Sequence, residues 1–144
     1  MSTIALYTWI FTVLAGLLLF VIWIMEYDHS FQREAASRLP VPVIIGHALM
    51  GMGGLVLWIA YLLVDDERLA WVTVVTLGTV AMLGLIMAAR WFSVYRAIAD
   101  PSLTIRIAVP PERNFPVPVV IIHGILAVTT LSLVFLTALG VGGS

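Results

Sequence analysis

Four long stretches of apolar residues, separated by short polar segments, dominate the pattern of this chain. They extend from Ile4 to Met25, from Val41 to Val64, from Leu69 to Ala89 and from Pro116 to Gly140. Each is close to the ~20 residues that an α-helix needs to cross the hydrocarbon core of a bilayer. The pattern predicts an all-α polytopic membrane protein, a bundle of four transmembrane helices in one domain.

The composition favours the same class of protein. Of the 144 residues, 62% are hydrophobic and 10% are charged, and the mean hydropathy is +1.11. A typical soluble domain has about 45–50% apolar and about 25% charged residues. The chain has no cysteine, which excludes disulfides and thiolate metal sites. The net charge of −1, with dispersed basic residues, indicates no nucleic-acid partner.

The basic residues indicate an orientation in the membrane. Six of the seven arginines lie in the first and third connections or at their borders: Arg33, Arg38, Arg90, Arg96, Arg106 and Arg113. Only Arg68 lies in the second connection. The positive-inside rule therefore places the first and third connections in the cytoplasm and both termini outside, as in a bacterial inner-membrane protein. Arg106 and Arg113 are expected to contact anionic lipid or a partner subunit.

A phrase of the sequence occurs twice. PVPVIIGHALMG, from Pro40, recurs as PVPVVIIHGILA, from Pro116, with a histidine at the same position in each. The first and third apolar stretches also correspond, at one constant offset, in three pairs: Gly16 and Gly84, Trp23 and Trp91, and Tyr27 and Tyr95. We interpret the chain as a duplicated helical hairpin, about 4–64 and about 69–140, with its symmetry axis along the membrane normal.

The duplicated histidines are the main functional candidates. His47 and His123 each follow the second proline of the phrase by five residues, which places them ~7–10 Å into their helices. A polar residue inside a membrane span is a functional-site hypothesis by default. Two symmetry-related imidazoles can bind the iron of one haem from opposite sides. Small residues at i+4 and i+7 leave a slot for a flat macrocycle beside each imidazole: Gly51, Gly54, Ala127 and Thr130.

On these residues the chain resembles the small four-helix b-type cytochromes of energy-transducing membranes. The resemblance implies one haem b with His47 and His123 as axial ligands of the iron, and with Arg38 and Arg90 beside the propionates. It also implies a role in electron transfer. The protein would exchange electrons with quinone or act as one subunit of a respiratory complex. Cytochromes of this type with two haems carry four histidines in their helices. This chain has two histidines in its predicted helices, so it can hold at most one haem.

Other interpretations of the same residues stay open. The histidines could hydrogen-bond only to backbone or to each other, in a non-catalytic subunit that scaffolds or stabilises a larger membrane complex. The expected protein partners are other membrane subunits or further copies of the chain in a homo-oligomer. Zinc is disfavoured because two histidines fall short of the usual three or four protein ligands. The stripe at Gly51 and Gly54 could be ordinary helix-packing surface, and Gly16 and Gly84 are interpreted in that way. A transporter remains a minor alternative.

The third histidine, His29, lies just after the first apolar stretch. Together with Glu26 and Asp28 it forms a titratable cluster that could exchange protons with a quinone, because histidine titrates near neutral pH. The alternative is a solvated helix end without further function.

Overall fold

The computed structural model describes residues 1–27, 39–98 and 111–141. In these residues the chain forms four long α-helices and one short 3-10 turn, Pro111–Asn114, without any β-strand. The helices are α1 (Ser2–Glu26), α2 (Val41–Val64), α3 (Glu67–Ile98) and α4 (Val117–Ala138). All four are long and apolar enough to cross a membrane. The all-α, four-helix prediction is confirmed.

The repeated phrase produces the same helix start twice. α2 begins directly after Pro40 and α4 directly after Pro116, and each helix has a second proline in its first turn. A proline is tolerated there because the missing N–H would have no partner within the helix. The Pro40 carbonyl accepts hydrogen bonds from the next turn at 2.9 and 3.2 Å, and the Pro116 carbonyl accepts the equivalent two at the same distances. The end of the bundle that contains Pro40 and Pro116 is called the proline end below.

Only two residues, Asp65 and Asp66, connect α2 to α3. Asp65 adopts the left-handed conformation (φ 55°, ψ 39°) that reverses the chain. The carboxylate of Asp66 accepts a hydrogen bond of 2.9 Å from the backbone N–H of Arg68 and so caps the start of α3. A connection this short requires α2 and α3 to be antiparallel neighbours.

α3 is longer than the sequence predicts. The third apolar stretch ends at Ala89, whereas the helix continues to Ile98. The intervening residues contain neither proline nor glycine, so nothing stops the helix where the hydrocarbon-length stretch ends. The rings of Trp91 and Tyr95, one turn apart, stack with their centres 5.6 Å from each other and support the added turns.

The helices follow each other around the bundle in the order α1, α2, α3, α4, and the closest packing is between α1 and α4 and between α2 and α3. Neighbouring helices are antiparallel: Trp58, near the end of α2, donates a hydrogen bond to the carbonyl of Ser2 at the start of α1. In the described part of the chain α2 and α4 are therefore diagonal to each other and parallel, as are α1 and α3. This order directs side chains of α2 and α4 toward one another across the bundle axis.

The bundle has two apolar clusters along its length. One, far from the proline end, includes Trp9, Trp58 and Val134, which are at most 2% exposed. The other lies at the proline end and is built around Trp23. Many apolar side chains of all four helices remain exposed on the outside, as expected for helices that face lipid tails.

Candidate functional site

His47 of α2 and His123 of α4 meet across the bundle axis. The centres of the two imidazole rings are 6.1 Å apart, and the ring planes form an angle of 64°. Each histidine lies six residues after the first residue of its helix, so both are ~9 Å from the helix start. Both side chains are half-buried. The structure thus brings together the two histidines that the repeated phrase singled out.

Each ring is oriented by a backbone carbonyl of a neighbouring helix. Nδ1 of His47 lies 3.0 Å from the carbonyl oxygen of Val80, and Nδ1 of His123 lies 2.9 Å from that of Thr12. A carbonyl oxygen only accepts hydrogen bonds, so Nδ1 carries the proton and donates in both cases. In a neutral ring Nε2 then has a free lone pair. Within the described residues neither Nε2 takes part in a hydrogen bond.

A glycine contacts the edge of each imidazole. Gly16, one turn after Thr12 on α1, lies against His123: a Cβ at this position would be 2.9 Å from Cε1 of the ring. Gly84, one turn after Val80 on α3, lies against His47, with the corresponding distance 3.1 Å. Real Cβ atoms essentially never approach another atom as closely as at Gly16. Each ring therefore lies where a carbonyl and a glycine of one helix face it together.

These contacts occur in both hairpins. Val80 and Gly84 occupy the positions in the second copy of the repeat that Thr12 and Gly16 occupy in the first, and His123 is likewise the counterpart of His47. In each case a histidine on the second helix of one hairpin contacts the first helix of the other hairpin. Sequence reasoning interpreted Gly16 and Gly84 as packing positions and missed their contact with the histidines. The signal was their matched position in the two copies.

Two of the four small residues predicted to leave a slot, Gly51 and Gly54, lie against side chains of other helices. A Cβ on buried Gly54 would lie 2.9 Å from Cζ2 of Trp9, so the indole occupies this side of α2. The nearest group to Gly51 is the Val80 side chain, at 3.8 Å from an added Cβ. Ala127 is half-buried. The structure therefore gives Gly54 a contact with Trp9 and places Gly16 and Gly84 directly beside the imidazoles.

Thr130, the fourth predicted slot residue, belongs to a hydrogen-bonded pair. The Thr12 hydroxyl donates to the carbonyl of Thr8 at 2.7 Å, and the hydroxyls of Thr12 and Thr130 are 3.2 Å apart. Since the single hydroxyl proton of Thr12 is already used, Thr130 donates to Thr12. The residue equivalent to Thr12 in the other copy is Val80, which has no hydroxyl. The two imidazoles therefore have matched carbonyl partners in unequal surroundings.

The charged candidates are only partly described. Arg90 lies exposed near the end of α3, and Glu26 ends α1. Arg113 is exposed on the 3-10 turn, next to Glu112, which is fully buried. Five residues named in the sequence analysis lie outside the described residues: Asp28, His29, Arg33, Arg38 and Arg106.

The donor set limits what the site can bind. Within the described residues no three histidine, cysteine or acidic side chains come together in a way that could hold a bare metal ion. Two imidazole nitrogens are too few for the usual protein zinc site. They are sufficient for haem iron, because the macrocycle supplies the remaining nitrogen ligands.

Comparisons of the chain with protein-family models, with curated proteins and with solved structures found no match.

Proposed function

We propose that this protein binds one haem b between His47 and His123 and takes part in electron transfer within a membrane. The observation that carries the proposal is the pair of imidazoles that meet across the bundle. Each has Nδ1 engaged by a carbonyl, and Nε2 has no partner among the described residues. An imidazole acceptor that has no protein partner inside an apolar bundle is unfavourable, and a metal–nitrogen bond would remove that cost.

The separation of the rings supports this assignment. A metal bound by an imidazole lies about 2 Å from the ligating nitrogen, so two rings on one metal have centres roughly 6 Å apart. The observed separation is 6.1 Å. A ligating histidine usually donates its other N–H to a carbonyl or carboxylate, which fixes the tautomer and makes the ligand more basic. His47 and His123 both have this second partner.

When bound, haem supplies one-electron chemistry through its iron. The chain's own contribution is to hold each imidazole in a fixed orientation, His47 through the Val80 carbonyl and His123 through the Thr12 carbonyl. The apolar helices of the bundle surround both rings. A ligand pair held by backbone groups of rigid helices keeps its geometry when the charge at the site changes. Because both histidines lie in the part of the bundle near the proline end, electrons would exchange on that side.

The positive-inside rule supports a cytoplasmic position for the proline end, with both termini outside, in a bacterial inner membrane. In this arrangement the exposed Arg90 side chain is near the level of the interface and is a candidate partner of a haem propionate. A membrane quinone, or the other subunits of a respiratory complex, would be the electron donor or acceptor.

The test is a visible absorption spectrum of the protein purified in detergent from cells with ample haem supply, first oxidised and then reduced with dithionite. We expect the sharp α-band of a low-spin b haem, at one haem per chain. His47→Ala and His123→Ala should each abolish it. The third histidine of the chain provides the matched control, because His29→Ala should retain the band.

A colourless wild-type protein would overturn the proposal. It would favour the alternative of a non-catalytic subunit that scaffolds a larger membrane complex, in which the two histidines only donate hydrogen bonds to Val80 and Thr12.

A further inference from the structure

Trp23, near the end of α1, has a buried hydrogen-bond donor without an acceptor in the described part of the chain. The residue is 5% exposed, and its indole Nε1 is the one buried side-chain nitrogen or oxygen of the described residues that has no partner. Trp58, which is fully buried at the other end of the bundle, donates to the Ser2 carbonyl at 3.2 Å. Buried polar groups in proteins are nearly always paired, so an exception requires an explanation.

The surroundings of this donor are apolar and aromatic. Leu39 and Ile44 are buried against Trp23. The Phe20 ring stacks on the indole with a separation of 6.1 Å between ring centres, and the Tyr27 ring lies at 4.6 Å. Phe115, just before α4, packs against the same group from another part of the chain and is only half-buried. These six residues are called the Trp23 cluster.

The Trp23 cluster is adjacent to the histidine pair. Ile44 precedes His47 by three residues on α2, which is less than one helical turn. Met87, which also packs against the cluster, follows Gly84 by three residues on α3, and Gly84 touches the His47 ring. A molecule bound in the cluster would therefore lie next to His47, between the His47 side chain and the proline end.

The chemistry of the cluster selects its ligand. An indole N–H only donates, so the ligand must present an acceptor atom. Aromatic and aliphatic walls favour a flat apolar ring, and the position within a membrane helix favours a molecule that dissolves in lipid. A quinone has a carbonyl oxygen on a flat ring and meets all three conditions.

We propose that Trp23 donates a hydrogen bond from Nε1 to a carbonyl oxygen of a membrane quinone whose ring binds in the Trp23 cluster. This deepens the proposed function and rests on it, since the quinone would exchange electrons with a haem beside His47. Phe20, Tyr27 and Phe115 are the half-buried members of the cluster, so the quinone ring would have to displace one of them. The second hairpin does not repeat the site: Trp91, the equivalent of Trp23, is half-buried and stacks on the exposed ring of Tyr95.

The experiment follows the indole N–H directly. The full chain is labelled with 15N-tryptophan, and the signals of its five tryptophans are recorded in detergent while menadione, a short naphthoquinone, is added. The Trp23 signal is identified by its loss in Trp23→Phe. We expect this signal to move downfield with saturation, while the Trp91 signal stays in place.

The affinity for menadione provides a second measurement. Trp23→Phe should weaken the Kd about tenfold, as expected for the loss of one hydrogen bond, because phenylalanine keeps the ring but has no donor. Trp91→Phe is the matched control and should leave the Kd within about twofold of the wild-type value, since Trp91 has no contact with the proposed ligand.

The outcomes separate this proposal from the proposed function. A Trp23 signal that does not respond to saturating menadione overturns the quinone site, whether or not the protein contains haem. A response in a protein that never binds haem supports the quinone site and overturns the haem proposal. A Trp23 signal that changes between wild type and His47→Ala, but not on addition of menadione, overturns the quinone site.

Discussion

Gly16 of α1 lies directly beside the imidazole of His123 on α4, so closely that a Cβ added to the glycine would be 2.9 Å from Cε1 of the ring. The same helix provides the ring with its hydrogen-bond acceptor, the carbonyl of Thr12, one turn earlier. The helix packing and the orientation of the histidine are therefore coupled. A larger residue at position 16 has to move either the helix or the ring.

The first prediction concerns Gly16→Ala and its counterpart on α3, Gly84→Ala. Both should lower the free energy of unfolding by about 1–3 kcal/mol, as expected for overpacking, with the larger effect at Gly16, where the contact is shorter. Thermal unfolding in detergent, followed by circular dichroism, measures the change. Both variants should also shift or reduce the absorption of the proposed haem, because the ring that moves is one of its proposed ligands.

Gly78→Ala is the control for these variants. Gly78 lies on α3, and a Cβ there would meet no atom within 4 Å. The substitution should be neutral or stabilise the protein by about 0.4–1 kcal/mol, because alanine favours the helix. Equal destabilisation by Gly78→Ala and Gly84→Ala would show that the imidazole contact does not matter.

The second prediction concerns Gly54→Ala. A Cβ at this position would be 2.9 Å from Cζ2 and 3.1 Å from Cη2 of the buried Trp9 ring, which cannot easily move within its cluster. We expect destabilisation of about 1–3 kcal/mol. Gly53→Ala is the matched control on the same helix, since a Cβ at Gly53 meets no atom within 4 Å.

In a Trp9→Leu background the cost of Gly54→Ala should largely disappear, and a double-mutant cycle measures this coupling. Full additivity would contradict the contact.

The third prediction concerns the hydroxyl pair of Thr12 and Thr130, both of which are buried. Thr12→Val removes the acceptor of the Thr130 hydroxyl, and it should cost about 1 kcal/mol of stability. Thr130→Val should cost less, because the Thr12 hydroxyl keeps its bond to the Thr8 carbonyl. Thr129→Val is the control, since the exposed Thr129 hydroxyl bonds only within its own helix. Chemical denaturation measures all three. A larger loss in Thr130→Val than in Thr12→Val would contradict the donor assignment.

The four membrane helices could be predicted because a bilayer sets their minimum length and the apolar stretches meet it. The starts of α2 and α4 could be predicted as well, since Pro40 and Pro116 each precede a helix. The end of α3 could not. The end of an apolar stretch marks where a chain leaves the hydrocarbon, but a helix stops only where proline, glycine or a cap stops it.

The neighbours of the candidate site could be predicted only in part. A common depth for His47 and His123 follows from the repeat, but their carbonyl partners depend on which helices are adjacent and on how each helix is rotated. Small residues raise the same difficulty. Gly54 lies on the face expected for a slot, yet the slot contains Trp9 of another helix. One sequence shows where a side chain is small, and it does not show which neighbour approaches it.

The last prediction uses the angle between the imidazole planes. His47 and His123 are held at 64° by separate backbone carbonyls on α3 and α1, so the two rings that would hold a haem iron are far from parallel. The farther two imidazole planes are from parallel, the closer in energy two d orbitals of the iron would remain, and the more anisotropic a low-spin ferric centre would be. Electron paramagnetic resonance of the oxidised protein at low temperature should therefore show one strongly shifted low-field feature.

Gly84→Ala is expected to change the angle between the two imidazole planes. Its Cβ would lie 3.1 Å from Cε1 of His47, so the ring should rotate and the low-field feature should move, whereas Gly78→Ala should leave it unchanged. A rhombic spectrum of parallel imidazoles in the wild-type protein would show that the carbonyls of Val80 and Thr12 do not set the ligand planes.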